Sequence, residues 1–186
     1  MKPDRLLGWT DLEPILDQIN KRDLDCELRV LKTHILSELI MYRLLAVRLD
    51  VAEEDLPSLQ HFQLSKLALS GHANAQVLVM LLASNDIRNV LGHELDTERM
   101  MNAFRIFISK CQVNWMSALD QGVEFEHEIR DLSVRAAATI CLSELICVFI
   151  NYVMSSRELS EEAMQSGRDL VNRQRQAIAS MRKNVI

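Results

Sequence analysis

Along most of the chain, apolar residues recur at three- and four-residue steps, the period of one helix face, rather than alternating as they would on a strand. Residues 11–49 read as helical with a break near Asp23 to Asp25, and Leu28, Leu31, Ile35, Leu39, Tyr42 and Leu45 or Ala46 form a stripe expected to point inward. Pro57, behind the acidic Glu53, Glu54 and Asp55, closes that stretch, because proline disfavours helical geometry in the residue before it. The pattern then predicts a short helix from Ser58 to Leu69, stopped at Ser70 and Gly71, and a longer one from Ala73 to about Leu91, with Gly92 placed where a helix could loosen.

Thr97 resembles a new N-cap, leading into Met100, Phe104, Phe107 and Ile108, with a turn expected near Gln121 and Gly122. Glu126 to Arg157 is predicted as a long helix around Leu132, Ala136, Ile140, Leu145, Val148 and Tyr152. Ser160 is placed to cap a final amphipathic helix carrying Ala163, Met164, Leu170 and Ile178. The expectation is an all-α chain forming one helical domain over residues 1–186, with a core over about 11–157 and a C-terminal amphipathic helix over about 160–183. No repeat, low-complexity tract or linker divides it.

Composition agrees with this reading. Hydrophobic residues make up 48% and charged residues 25%, with only 5 Gly and 3 Pro, which excludes a disordered or collagenous chain and disfavours a turn-rich sandwich. A chain of 186 residues buries roughly 70% of its unfolded surface, so it needs neither metal nor disulfides to hold together. Cys26, Cys111, Cys141 and Cys147 form no C-x-x-C pair and Met1 to Arg5 opens no signal-like segment, so the expectation is reduced, packed thiols in the cytoplasm. Leu132 to Met154 has the length of a membrane span, but Arg135 and Glu144 inside it would be costly at bilayer depth, so a buried or dimer-forming helix is expected instead. The net charge of −5 removes any broad attraction to nucleic acid, so an RNA site would have to be a local basic patch.

Candidate chemistry is concentrated in Arg88-Asn89-Val90-Leu91-Gly92-His93. Cleaving RNA by attack of its own 2′-hydroxyl needs a group to take the proton and a cation for the phosphoryl oxygens. Histidine titrates near neutrality, and the arginine fork matches phosphate. On a regular helix Asn89 shares a face with His93, and Asn85 lies one step further back. Arg88, five residues from His93, points roughly 140° away from it. The long Arg88 side chain, a distortion at Gly92 or a second protomer would have to close that gap. The alternative for the same residues is structural: an Arg-Asn pair and a His that cap the helix end and pair with Asp86, Glu94 or Asp96.

The segment Leu81 to Leu95, an apolar helix running into Arg, a polar residue and then His, resembles the signature of the HEPN superfamily of ribonucleases and RNA-associated modules. His34 to Leu49 looks like that family's opening long helix, and Leu59 to Leu69 like the short helix before the motif helix, so the resemblance covers roughly Leu31 to Asp96. It implies an antiparallel up-and-down bundle with additional C-terminal helices. It also implies a metal-independent endoribonuclease, as in toxins and defence effectors, with Arg88, Asn89 and His93 as catalytic residues in a cleft shared by a homodimer. RNA would be the substrate and an antitoxin or regulatory protein a further partner, with no membrane and no cofactor. In a toxin branch paired with nucleotidyltransferase antitoxins a tyrosine falls two residues after the histidine. Leu95 stands there in this chain, so silencing by modification of that tyrosine is unsupported.

A non-catalytic helical module that binds protein or nucleic acid is the competing expectation, supported by the long apolar helix and the acidic net charge. His34, His61, His72, His93 and His127 show no close ligand spacing such as H-x-x-x-H, so no metal is expected, and His34, His61, His72 and His127 are read as surface or half-buried residues without a role. Glu124, Glu126, His127 and Glu128 are read as a solvated helix start. Arg168, Arg173, Arg175, Arg182 and Lys183 could line an RNA backbone, although an ordinary amphipathic helix end is the more frequent meaning of such a run. Trp9 and Trp115 are too isolated for a base-stacking platform.

Overall fold

The computed structural model describes residues 12–21, 24–70, 75–93, 97–118, 132–155 and 161–185. Every regular element among them is helical: α1 (Glu13–Ile19), α2 (Cys26–Leu49), a 3₁₀ turn (Glu53–Asp55), α3 (His61–Ala68), α4 (Ala75–His93), α5 (Thr97–Ala118), α6 (Val134–Met154) and α7 (Glu161–Val185). The expected all-α class is therefore observed.

Local chemistry explains the boundaries. The break before α2 falls where the sequence placed it, and Asp25 caps the helix by accepting a hydrogen bond from the Glu27 N–H at 2.9 Å. Its far end closes through Asp50 in the left-handed conformation (φ 53°), with the Val51 N–H reaching back to the Ala46 carbonyl at 3.1 Å. α6 begins at Val134 behind the cap Ser133, which accepts from the Ala136 N–H. It is thus shorter at its N-terminus than the helix predicted from Glu126, because the side chain of Ser133 supplies a stop that the apolar period does not record. The turn expected at Gln121 and Gly122 and the cap expected at Ser160 lie outside the described residues.

One continuous core takes residues from all seven helices. α6 is its centre, packing against α2, α4, α5 and α7. Leu142, Leu145, Cys147, Val148 and Ile150 are all buried and lie on more than one side of the helix, as a helix surrounded by others requires. The segment with the length and apolarity of a membrane span thus places most of its surface inside the protein. Its two charges are matched from neighbouring helices: Arg135 pairs with Glu27 at 2.7 Å and Glu144 with Arg182 at 2.9 Å.

The stripe predicted on α2 holds in its second half, where Leu39 and Tyr42 pack against the core and Leu45 and Ala46 are buried, but its first half requires correction. Leu28, Leu31 and Ile35 are exposed (43%, 38% and 51%), while Arg29, Thr33, His34 and Ser37 lie inside beside Val30, Leu36, Ile40 and Met41. α2 carries apolar residues around much of its circumference, and α1, α3, α4 and α6 all pack against it. Which face is buried was therefore decided by where those neighbours sit, and Arg29, His34 and Ser37 were taken inside with local partners. Arg29 is one of them: its guanidinium donates to the Ile19 carbonyl and, at 3.1 Å, to the Lys21 carbonyl, covering the C-terminal end of α1. Arg48 does the same for α3, donating to the Ala68 and Ser70 carbonyls.

Candidate functional site

The Arg88-to-His93 motif occupies the last turns of α4, which continues as regular helix through Gly92 to His93. The distortion considered at Gly92 is absent, and a Cβ there would meet nothing within 4 Å. Arg88 and His93 therefore keep the roughly 140° separation of a five-residue step. Arg88 is half-buried and Asn89 exposed, and the Arg88 guanidinium donates to the Asn89 side-chain oxygen at 3.2 Å. Among the described residues no carboxylate pairs with Arg88. Asp86 faces Lys110 instead, at 4.0 Å. The His93 side chain lies outside the described residues, as do Glu94, Leu95 and Asp96. Beside the motif an open groove between α4 and α5 is lined by Asp86, Val90, Arg99, Asn102 and Ile106.

The basic residues of α7 largely serve the fold. Arg173 forms a two-pronged pair with Glu13 of α1, Arg182 reaches Glu144 of α6, and Arg168 donates to Gln165 one turn away. Asn20 and Gln174 add a hydrogen bond of 2.6 Å between the end of α1 and α7. The suggested RNA-backbone role of this run therefore competes with contacts that dock α7. The acidic cluster at Glu124 to Glu128 lies outside the described residues.

A second centre stands where α3 meets α2, and it corrects the placement of two histidines. His34 and His61 are buried (6% and 7% exposed), and their rings stack with centroids 4.4 Å apart and planes 28° from parallel. Both address one carboxylate oxygen: Glu38 Oε1 lies 3.2 Å from His34 Nε2 and 3.3 Å from His61 Nδ1. The two imidazoles, His34 first, hold the Glu38 carboxyl down at about 2 against the opposing effect of burial. The nitrogens on the far sides, His34 Nδ1 and His61 Nε2, are buried with no hydrogen-bond partner.

The folding reasons are local. His34 and Glu38 are one i, i+4 step apart on α2, so they share a face. His61 is the first residue of α3, and the Leu59 N–H donates to the Tyr42 hydroxyl of α2 at 2.8 Å, fixing the segment that leads into that helix. The search for His-to-His spacing could not find this group. The signal present was His34-x-x-x-Glu38, with the third member supplied from 27 residues further on.

The four thiols are buried and free, as expected of packed reduced cysteines. Burial raises Cys26 to about 11 and Cys147 to about 12, and it drives Cys111 up beside Cys141. Cys26, Cys111 and Cys147 are thereby held as thiols, poor nucleophiles and poor metal ligands.

The fold defines an all-helical protein built around one buried helix, with the Arg88-to-His93 turn at the end of α4 and a His-Glu-His group with two buried imidazoles between α2 and α3. No protein-family model, no curated protein and no solved structure matches the chain.

Proposed function

We propose that the chain is a cytoplasmic, metal-independent endoribonuclease of HEPN type, acting as a homodimer at a cleft to which both protomers bring the Arg88-to-His93 turn. The observation that carries this reading is the position of Arg-Asn-x-x-x-His on the last turns of α4, behind a long α2 and a short α3 that both pack against that helix. That is the order of elements the resemblance implies, with α2, α4, α5 and α6 as the up-and-down bundle. His93 acts as general acid and base, Arg88 balances charge on the phosphoryl oxygens, and Asn89 holds the guanidinium. With α4 unbroken at Gly92, closing the five-residue step is left to the reach of the Arg88 side chain or to a second protomer, and the proposal takes the second.

Purified protein incubated with total RNA in EDTA is expected to yield fragments with 2′,3′-cyclic phosphate ends, and neither His93→Ala nor Arg88→Ala should retain that activity. Cleavage unchanged in both folded variants would remove the assignment.

A second reading, a non-catalytic interaction module, is favoured by the exposed apolar stripe Leu28, Leu31 and Ile35 on α2. A complex recovered from cells and abolished by Ile35→Asp, together with inertness toward RNA at high protein concentration, would support it over the first.

A further inference from the structure

We infer that His34, Glu38 and His61 form a binding site for a divalent transition-metal ion, of which zinc is the representative, clasping α3 to α2. Two ligands held at 2.0–2.1 Å by a tetrahedral ion lie about 3.3 Å apart. The two nitrogen-to-oxygen separations are 3.2 and 3.3 Å, and the three donor atoms all lie within 4.8 Å of one another. Two imidazoles and one carboxylate make a borderline donor set that suits zinc, cobalt or nickel and disfavours calcium and magnesium, which take oxygen ligands.

Exposure fits the same use. The two histidine side chains are 7% and 5% exposed and fixed against each other, whereas the Glu38 side chain is 33% exposed. An ion reaches the group from the Glu38 side, where water completes its coordination.

The far-side nitrogens set the strength. Without an ion, both rings donate to the Glu38 carboxylate, and His34 Nδ1 and His61 Nε2 have no hydrogen-bond partner. With an ion, those buried nitrogens must carry the protons, and they have no acceptor. Metal-bound histidines ordinarily donate their other N–H to a partner, and loss of such a partner weakens binding about 10–100-fold. The site is accordingly a moderate one. It lies apart from the α4 motif, and RNA cleavage requires nothing from it.

The test uses the full chain stripped with EDTA, then dialysed and titrated with Zn²⁺ by calorimetry and with Co²⁺ by visible absorption. One equivalent per chain is expected, with the intense d–d bands of low-coordinate cobalt, displacement of cobalt by zinc, and a melting temperature that rises with free zinc. Glu38→Gln and His61→Asn should each weaken uptake about tenfold or more. Circular dichroism verifies that each variant is folded. Should His61→Asn fail to fold, Glu38→Gln, at a half-exposed position, decides alone. Absence of stoichiometric uptake by the folded wild type overturns the inference, as does uptake unchanged in the folded variants, which would place the ion elsewhere. Neither result bears on cleavage in EDTA.

Discussion

The end of α4 and the junction of α2 with α3 both gather groups capable of chemistry, but in opposite ways. At the α4 end the residues are consecutive in sequence and solvent-accessible at Asn89, yet helical geometry keeps Arg88 and His93 on different faces. At the junction the residues are scattered and the two imidazoles buried, yet three donor atoms converge within 4.8 Å. Contiguity in sequence is thus a poor guide to convergence in space. A helix separates near neighbours by rotation, whereas packing one helix onto another brings distant residues together. The contrast predicts that substitutions at the α4 end change activity and spare stability, while those on the buried side of α2 do the reverse.

The largest expected effect is on cleavage. His93→Ala should lower the rate about 10²-fold or more if His93 is the general acid and base proposed above, with the melting temperature essentially unchanged. Mixing Arg88→Ala with His93→Ala protomers sharpens the point. If each site takes Arg88 from one chain and His93 from its partner, half the dimers are mixed and each has one intact site, restoring roughly a quarter of wild-type activity. Recovery indistinguishable from the separate variants would mean that each site uses one chain only, against the geometry of α4.

On α2, Arg29→Ala should lower unfolding free energy by about 2–4 kcal/mol in a denaturant titration, because it uncovers the carbonyls that end α1 and opens a void. A loss below about 0.5 kcal/mol would show that buried Arg29 is dispensable, blurring the contrast between the regions.

Asp25→Ala should cost about 1 kcal/mol through loss of the α2 cap. The pH dependence has a definite sign. Hydrogen bonding from Glu27, through its side chain first and its backbone N–H as well, holds the Asp25 carboxyl below its ordinary 3.8 against the opposing effect of burial, so its contribution is fully present above that pH and is lost as pH falls through the lowered value. Wild type and variant should therefore converge in stability at strongly acid pH, and a difference that grows on acidification would contradict the capping role.

The smallest effect is expected at Gly92→Ala, a gain of about 0.5–1 kcal/mol, since the residue is helical, exposed and has open space around a Cβ. Destabilisation measured by thermal melting would instead mark a conformation there that only glycine tolerates.

The amino-acid pattern determined the helical class, the break before α2, the α4 segment bearing the motif and the apolar helix at the centre. Each of these follows from period, capping chemistry and turn residues within a few positions of one another. It did not determine which side of α2 faces inward. Leu28, Leu31 and Ile35 fit the helical period as well as Val30, Leu36 and Ile40 do, and only the placement of α1, α3, α4 and α6 chose between them. Nor did it reveal the His34, Glu38 and His61 group, because i, i+4 spacing supplies two members and the third arrives by the docking of α3. Local interactions are written in neighbouring residues; the burial of polar groups and the convergence of distant side chains depend on contacts that exist only once the helices have packed.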